Sequence, residues 1–301
     1  MIKLDGAFIV DKPEKYTSFD IVNILKKKFK LKKAGHTGTL DGLATGVLIV
    51  CVNNATKLVD YLINDDKDYS VVLRLGYKSD TFDRDGKVEK ALLPPQITDL
   101  EIRKTVLSFI GEQDQIPPMY SAKKKDGKKL YKLARQGIEV TREPQRIKID
   151  FLKINKIVRA QDNDYIDIHF DATVSKGTYI RTLCADIAKK LGTSGIMQDL
   201  RRTRVGKFTI DNAKPLKEIT ENDLLDISQI SNLPILDIPL QSVQKFMNGG
   251  YLTDFELNDC EFQKYINSTV LVRSKGDIVI GIANVTEIKY RRIQPVKVFT
   301  F

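Results

Sequence analysis

Between residues 35 and 46 the chain reads Gly-His-Thr-Gly-Thr-Leu-Asp-Gly-Leu-Ala-Thr-Gly, and directly after it comes the apolar run Val47-Leu48-Ile49-Val50-Cys51-Val52. A run of that composition reads as a strand buried on both faces, and the four glycines before it leave the backbone free to take left-handed conformations and to approach a ligand closely. In that loop stand one acid, Asp41, and His36, one of only 2 histidines in the chain. A carboxylate on a loop that feeds a buried strand is a candidate nucleophile or base. A turn aspartate bound to its own backbone is the commoner role, and spacing does not separate the two. The loop has no lysine and fits neither G-x-x-x-x-G-K-[ST] nor G-x-G-x-x-G, which argues against a nucleotide-phosphate cradle.

The 301 residues, 42% of them hydrophobic, allow one large domain with a real core plus a small one. Forty-nine Lys and Arg against 39 Asp and Glu give a net charge of +10. The excess gathers at Lys26 to Lys28, Lys123 to Lys125, Lys128-Lys129 and Arg201, Arg202 and Arg204. One such cluster is ordinarily a solvated face, but several together suit a polyanion such as nucleic acid. The apolar runs are too short for a membrane span and the N-terminus lacks a signal-peptide core, so a cytoplasmic protein is expected. Cys51, Cys184 and Cys260 are scattered among apolar neighbours and read as core residues rather than disulfides or zinc ligands.

Along the chain, Gly6 to Pro13 reads as a short strand, and Thr17 with Asp20 as the capping box of a helix that turns Val22, Leu25 and Phe29 inward. Residues 55–62 continue as a helix with Leu58, Val59, Leu62 and Ile63 on one face. From Asp68 the pattern alternates, with Tyr69, Val71, Leu73 and Leu75 sharing a side. By itself Tyr69 is a rim tyrosine of the core. Thr98 and Glu101 open a helix to Ile110. Residues 147–157 and 165–174 form a hairpin, which sets His169 on the polar face, away from Ile168 and Phe170. With His36 alone remaining, neither a metal centre nor a Ser-His-Asp relay can be assembled. The next helix carries Ile180, Leu183, Cys184, Ile187 and Leu191 as its stripe and stops at Gly192. Arg181 sits in its first turn, where the helix dipole disfavours a cation, which points to an anionic partner. Residues 222–232 are polar and helix-like, and the tail reads as short strands and turns.

These motifs resemble the bacterial tRNA pseudouridine-55 synthases, the TruB family. Gly35 to Asp41 with Leu43 to Leu48 is similar to its catalytic signature, where proline is usual in place of Gly42 and often of Ile49. Lys12-Pro13 with Thr17-Ser18 resembles its first motif, which usually has glycine where Lys15 stands. Lys67-x-Tyr69 with Leu75-Gly76 and Thr81-x-Asp83 resembles its second. Lys176 to Leu183 and Leu200 to Phe208 complete the core match, while Gly195-Ile-Met replaces a more usual Gly-Ala-His. The resemblance covers nearly the whole chain and is loosest at the C-terminus.

It implies an α+β pseudouridine synthase fold with a large, mainly antiparallel sheet flanked by helices. The catalytic domain would span 1–230 with an RNA-gripping thumb at about 112–145, and a small PUA-like RNA-binding β-barrel would span 231–301. It implies isomerisation of uridine 55 in the tRNA T-loop by a monomer that needs no cofactor or metal. Asp41, Tyr69 and Arg181 would be catalytic, with Arg181 holding Asp41 ionised. His36, Tyr69, Tyr179, Leu200 and Lys12 would bind RNA, His36 filling the space vacated by the flipped base. Lys12 and Pro13 would also support the loop from beneath. The chief alternative is a non-catalytic tRNA-binding or folding protein. A relative guided within a ribonucleoprotein is disfavoured by the continuous thumb segment from Pro117 to Gly137.

Overall fold

Alternating side chains on the long segments resolve into a sheet of 11 strands in the computed structural model, which describes all residues but 1–3, 95, 163, 254–255, 257–262, 275, 277, 288–290 and 301. Its main strands are β1 (Gly6–Lys12), β2 (Ala34–His36), β3 (Thr45–Val52), β4 (Lys67–Leu75), β5 (Gly111–Gln115), β6 (Gln145–Arg159), β7 (Ile166–Val174) and β8 (Gly195–Val205). The order across the sheet is β1-β3-β8-β4-β7-β6-β5, with β2 paired to the far end of β3. Nearly every pairing is antiparallel; β8 runs parallel to β3, as does Lys214–Pro215 to β1.

The alternation decides which face is covered. Tyr69, Val71, Leu73 and Leu75 of β4 and Ile166, Ile168, Phe170, Ala172 and Val174 of β7 are all buried, and Tyr69 pairs with Ala172 in register. Helices α1 (Ser18–Lys28), α2 (Asp99–Leu107) and α3 (Ile180–Lys190) flank the sheet. Thr17 and Thr98 cap the first two with full capping boxes to Asp20 and Glu101, each worth roughly 1 kcal/mol. In α3 the stripe Ile180, Leu183, Cys184 and Ile187 packs into the same cluster as Tyr69 and Leu200.

Five further strands, β9 (Ile235–Ile238), β10 (Leu252–Thr253), β11 (Thr269–Ser274), β12 (Ile278–Thr286) and β13 (Arg292–Val298), form a curled sheet in the order β9-β11-β12-β13-β10. Leu271, Val279, Ile282 and Phe299 of this part share a core with Ala7, Ile9, Val47 and Ile49, so the two sheets pack as one body through apolar contact.

Several expectations are corrected. Residues 53–62 are a 3-10 turn, Asn53–Leu58, followed by a single α-turn, Val59–Leu62, and Ile63 is exposed. Residues 222–232 are not one helix. The backbone of Leu225–Asp226 pairs with β1, which leaves only short turns on either side, Glu221–Asp223 and Ile227–Ile230. Arg201, Arg202 and Arg204 lie on strand β8 and all have partners within the protein, although Arg201 and Arg204 remain part-exposed. Arg201 pairs with Asp11 and Arg204 with Asp68, while Arg202 is buried. His169 is half-buried rather than fully solvent-facing. Cys51 and Cys184 are buried and free, whereas Cys260 lies outside the described residues. The helix α4 (Leu240–Met247) had no counterpart in the sequence reading.

Candidate active site

The loop from His36 to Thr45 leaves the end of β2 and returns at the start of β3, and side chains beneath it fix its path. Leu40, Leu43 and Ala44 are buried anchors. The Ser18 hydroxyl accepts from the Leu40 amide at 2.7 Å and lies 3.1 Å from its carbonyl, to which it donates. The Gly42 carbonyl accepts from the Lys15 amide at 2.9 Å, and the Ala44 amide donates to the Asp41 carbonyl at 3.1 Å. Where the loop enters β3, Gly46 has φ +102°, and a Cβ there would lie 2.1 Å from the Arg202 carbonyl oxygen. No other residue type fits that position without moving β8.

Two buried cations sit under the loop without an ion-paired carboxylate among the described residues. Arg202 donates to the Val47 carbonyl at 2.7 Å and the Gly38 carbonyl at 3.1 Å. The Lys12 ammonium, wholly shielded from solvent, donates to the carbonyls of Pro13, Tyr16 and Gly42. Burial pulls its pKa down to about 8 against the attraction of Asp41. Its donors already have partners, so this placement serves the loop and does not present a phosphate contact, contrary to the RNA-binding role expected for Lys12. Lys15 has φ +72°, a left-handed backbone that glycine takes without strain.

Helix α3 delivers Arg181 to Asp41. Arg181 Nε lies 3.0 Å from Asp41 Oδ2, and its Nη2 donates to Asp41 Oδ1 at 3.5 Å and to the Tyr120 carbonyl at 2.8 Å. Its Nη1 reaches Asp83 Oδ2 at 3.2 Å and the Thr81 carbonyl at 3.1 Å. Four hydrogen bonds from Nη1 and Nη2 and the ion pair at Nε thus surround the guanidinium, which explains how a cation can be buried in a first helical turn. Asp83 is itself buried and held by the Thr81 hydroxyl and the Asp85 amide.

The balance at Asp41 differs from the one expected. Removal from solvent pushes its pKa up, and the carboxylates of Asp83 and Asp85 push the same way, while Arg181 and Lys12 pull down without prevailing. The side chain keeps 37% of its surface open, so the penalty is that of a partly shielded group rather than a fully buried one. Arg181 therefore limits the rise instead of producing a net fall.

Tyr69 and Leu200 are buried in the cluster that also holds Leu40, Leu43 and Ala44 of the loop and Ile180 of α3. Tyr179 is half-buried, and desolvation raises its pKa. The Ser121 hydroxyl lies near enough to oppose that rise, though outside hydrogen-bonding geometry. The backbone of Tyr179 is clamped by Gln115, whose amide group accepts from its N–H at 2.8 Å and donates to its carbonyl at 3.1 Å. His36 is half-buried at the end of β2, and burial with the nearby Arg202 lowers its pKa, favouring the neutral ring. Its Nδ1 is sealed from solvent with no partner among the described residues.

The thumb segment, 116–144, is an excursion between adjacent strands β5 and β6, which pair Gln115 with Gln145. It carries a hairpin turned at Asp126-Gly127, both with positive φ, which raises Lys124, Lys128 and Lys129 into solvent. Its root supplies the Tyr120 carbonyl to Arg181. Sequence reasoning did not identify Asp83 or Gln115 as site residues. The Thr81-x-Asp83 spacing was a usable signal for the first, and nothing local marks the second.

Comparison with known proteins matches residues 26–180 to the model of the TruB family pseudouridylate synthase N-terminal domain, and 181–232 to that of the tRNA pseudouridylate synthase B C-terminal domain. The chain is 46% identical over 221 residues to tRNA pseudouridine synthase B of Clostridium tetani, covering 73% of this chain and 74% of that protein. It is 40% identical over 283 residues to the protein of the same description from Psychrobacter cryohalolentis, covering 89% and 77%. Among solved structures, a chain of a Cbf5-Nop10-Gar1 complex superposes with a TM-score of 0.71 at 23% identity, covering 99% of this chain and 85% of that one, a likeness of fold.

Proposed function

The chain belongs to the TruB family of pseudouridylate synthases, and from that premise we propose that it isomerises uridine 55 in the T-loop of tRNA with Asp41 as its catalytic carboxylate. It is an isomerase acting on uridine in tRNA. The reaction breaks the bond from N1 to the ribose C1′, turns the uracil and rejoins it through C5. The C5 proton leaves and N1 gains one, with no redox change and no outside reactant. This chemistry needs an anionic group at the nucleoside, a surface to hold the freed base and an acceptor for the C5 proton.

Asp41 supplies the first, as nucleophile or base. The observation that carries this reading is a part-exposed carboxylate with both oxygens facing the buried Arg181, on a loop whose Leu40, Leu43 and Ala44 share a core cluster with Tyr69 and Leu200. Arg181 keeps enough of Asp41 ionised for turnover and fixes its rotamer. Tyr69 stacks on the base and takes the C5 proton, Tyr179 and Leu200 hold the uracil, and His36 occupies the space the base leaves. Extruding the target uridine costs a few kcal/mol, and stacking at about 1–3 kcal/mol per base offsets much of that.

The protein works alone in the cytoplasm as a monomer. Its catalytic domain spans 1–230, the lysine-tipped thumb grips the T stem-loop, and residues 231–301 form a second RNA-binding surface. Incubation with an unmodified tRNA transcript, followed by carbodiimide-dependent primer extension, gives one stop in the T-loop. Absence of that stop, or a stop elsewhere in the transcript, contradicts the assignment.

A further inference from the structure

We infer that Gln115, with Gln145 beside it, is a positioning residue for the reaction: the two side-chain amides fix the first turn of α3, and with it the aim of Arg181 at Asp41. Gln115 ends β5 and is 3% exposed. Its Oε1 accepts from the Tyr179 amide at 2.8 Å, and its Nε2 donates to the Tyr179 carbonyl at 3.1 Å. Only one orientation of the side-chain amide makes both bonds. Tyr179 is the N-cap of α3, and among the described residues its own side chain makes no capping bond. The clamp from β5 therefore holds the helix start from outside.

The rest of the thumb's root grips the same turn. Gln145 faces Gln115 across the β5–β6 ladder, so both side chains leave one face of the sheet, and Gln145 Nε2 donates to the Gly177 carbonyl. Lys123 Nζ steadies Gln145 from the thumb, donating to its Oε1 at 3.1 Å. Further along, the Tyr120 carbonyl accepts from Arg181 Nη2 at 2.8 Å. Between the two clamps lie Pro117 and Pro118, both buried, whose fixed φ limits changes in their spacing. An apolar side chain at 115 would suit the burial, since Ile147 and Ile149 on the same face belong to the core. It would leave the Tyr179 amide without its partner, which is the loss the glutamine prevents. Arg181 needs this frame because the helix dipole opposes a cation in the first turn. Its guanidinium also serves Asp41 and Asp83 at once, so a rotation of the turn toward one carboxylate stretches the pair with the other.

The inference rests on the tRNA-isomerase reading. The test measures affinity for unmodified tRNA transcript, and the single-turnover rate at saturating protein, for Gln115→Met and Gln145→Met, each alone and combined with Arg181→Met. Methionine removes the bonds at similar volume, and Gln145 is half-buried, so its variant carries the test if Gln115→Met fails to fold. Gln115→Met is expected to lower the saturated rate about 10- to 100-fold and Gln145→Met about 3- to 10-fold, with affinity within about threefold of wild type. In the Arg181→Met background each further loss should shrink to about twofold or less, because the group being aimed is gone. A merely structural role would lower the rate by the same factor in both backgrounds. That additivity, unchanged rates in the folded glutamine variants, or a loss confined to affinity overturns the inference alone. A wild-type protein that binds the transcript but forms no pseudouridine overturns the reading of function beneath it.

Discussion

Arg181 Nε lies 3.0 Å from Asp41 Oδ2, and Nη2 of the same guanidinium faces Asp41 Oδ1. Two oxygens met by two nitrogens of one rigid plane orient the carboxylate as well as attract it. Arg181→Met is expected to lower the single-turnover rate about 100- to 1,000-fold with tRNA affinity changed far less. Arg181→Lys is expected to recover little, since an ammonium cannot reach Asp41, Asp83 and two carbonyls together. Normal turnover by either variant at neutral pH would refute the pairing's role.

A second consequence concerns pH. The Asp41 pKa is raised, chiefly by burial, so its proton is held to a higher pH than that of an ordinary carboxylate near about 4. The reactive anion is lost as pH falls through that raised value, and the acid limb of the rate profile should lie above the usual carboxylate range. Asp85→Asn removes a carboxylate that pushes the value up and should move the limb to lower pH. Arg181→Met should move it to higher pH. A limb that stays put in both variants would mean another group controls it.

Two backbone positions give opposite stability outcomes. Gly46→Ala would drive a methyl into the Arg202 carbonyl at φ +102° and is expected to cost about 3 kcal/mol or more in urea denaturation. Lys15→Gly, at φ +72°, relieves strain and is expected to leave the fold within about 1 kcal/mol of wild type or better. Equal losses from both would show that left-handed geometry is not what fixes the loop.

Tyr69 tests the division of labour at the base. Tyr69→Phe keeps the ring and removes the hydroxyl, so base stacking and affinity should persist. Turnover should fall about 100-fold or more if the hydroxyl takes the C5 proton. Full turnover by Tyr69→Phe would reduce the residue to a stacking platform.

Much of this architecture is visible in the sequence because it is carried by local patterns. The alternation around Tyr69 and Phe170 fixes two central strands and their buried face, and Thr17/Asp20 and Thr98/Glu101 mark helix starts through contacts three residues apart. What stayed hidden depends on partners distant in sequence. Gln115 matters because it meets the backbone of Tyr179, 64 residues on. Arg201 and Arg204 read as a basic patch because charge is legible and the pairing acids Asp11 and Asp68 are not. Arg181 announced an anionic partner through its place in a helix's first turn, but Asp83 as the second anion appeared only with the fold. The direction of the Asp41 shift was also out of reach, since it weighs burial against four neighbouring charges.

The central claim is that Asp41 performs the chemistry without being needed for RNA binding or folding. Its raised pKa makes the ionised side chain unfavourable to the fold at neutral pH, so Asp41→Asn should be at least as stable as wild type in denaturation. The decisive measurement is the single-turnover yield of pseudouridine in unmodified tRNA by saturating Asp41→Asn protein, with transcript binding measured in parallel. The expected result is wild-type binding and no detectable product; product formation at near the wild-type rate would contradict the mechanism.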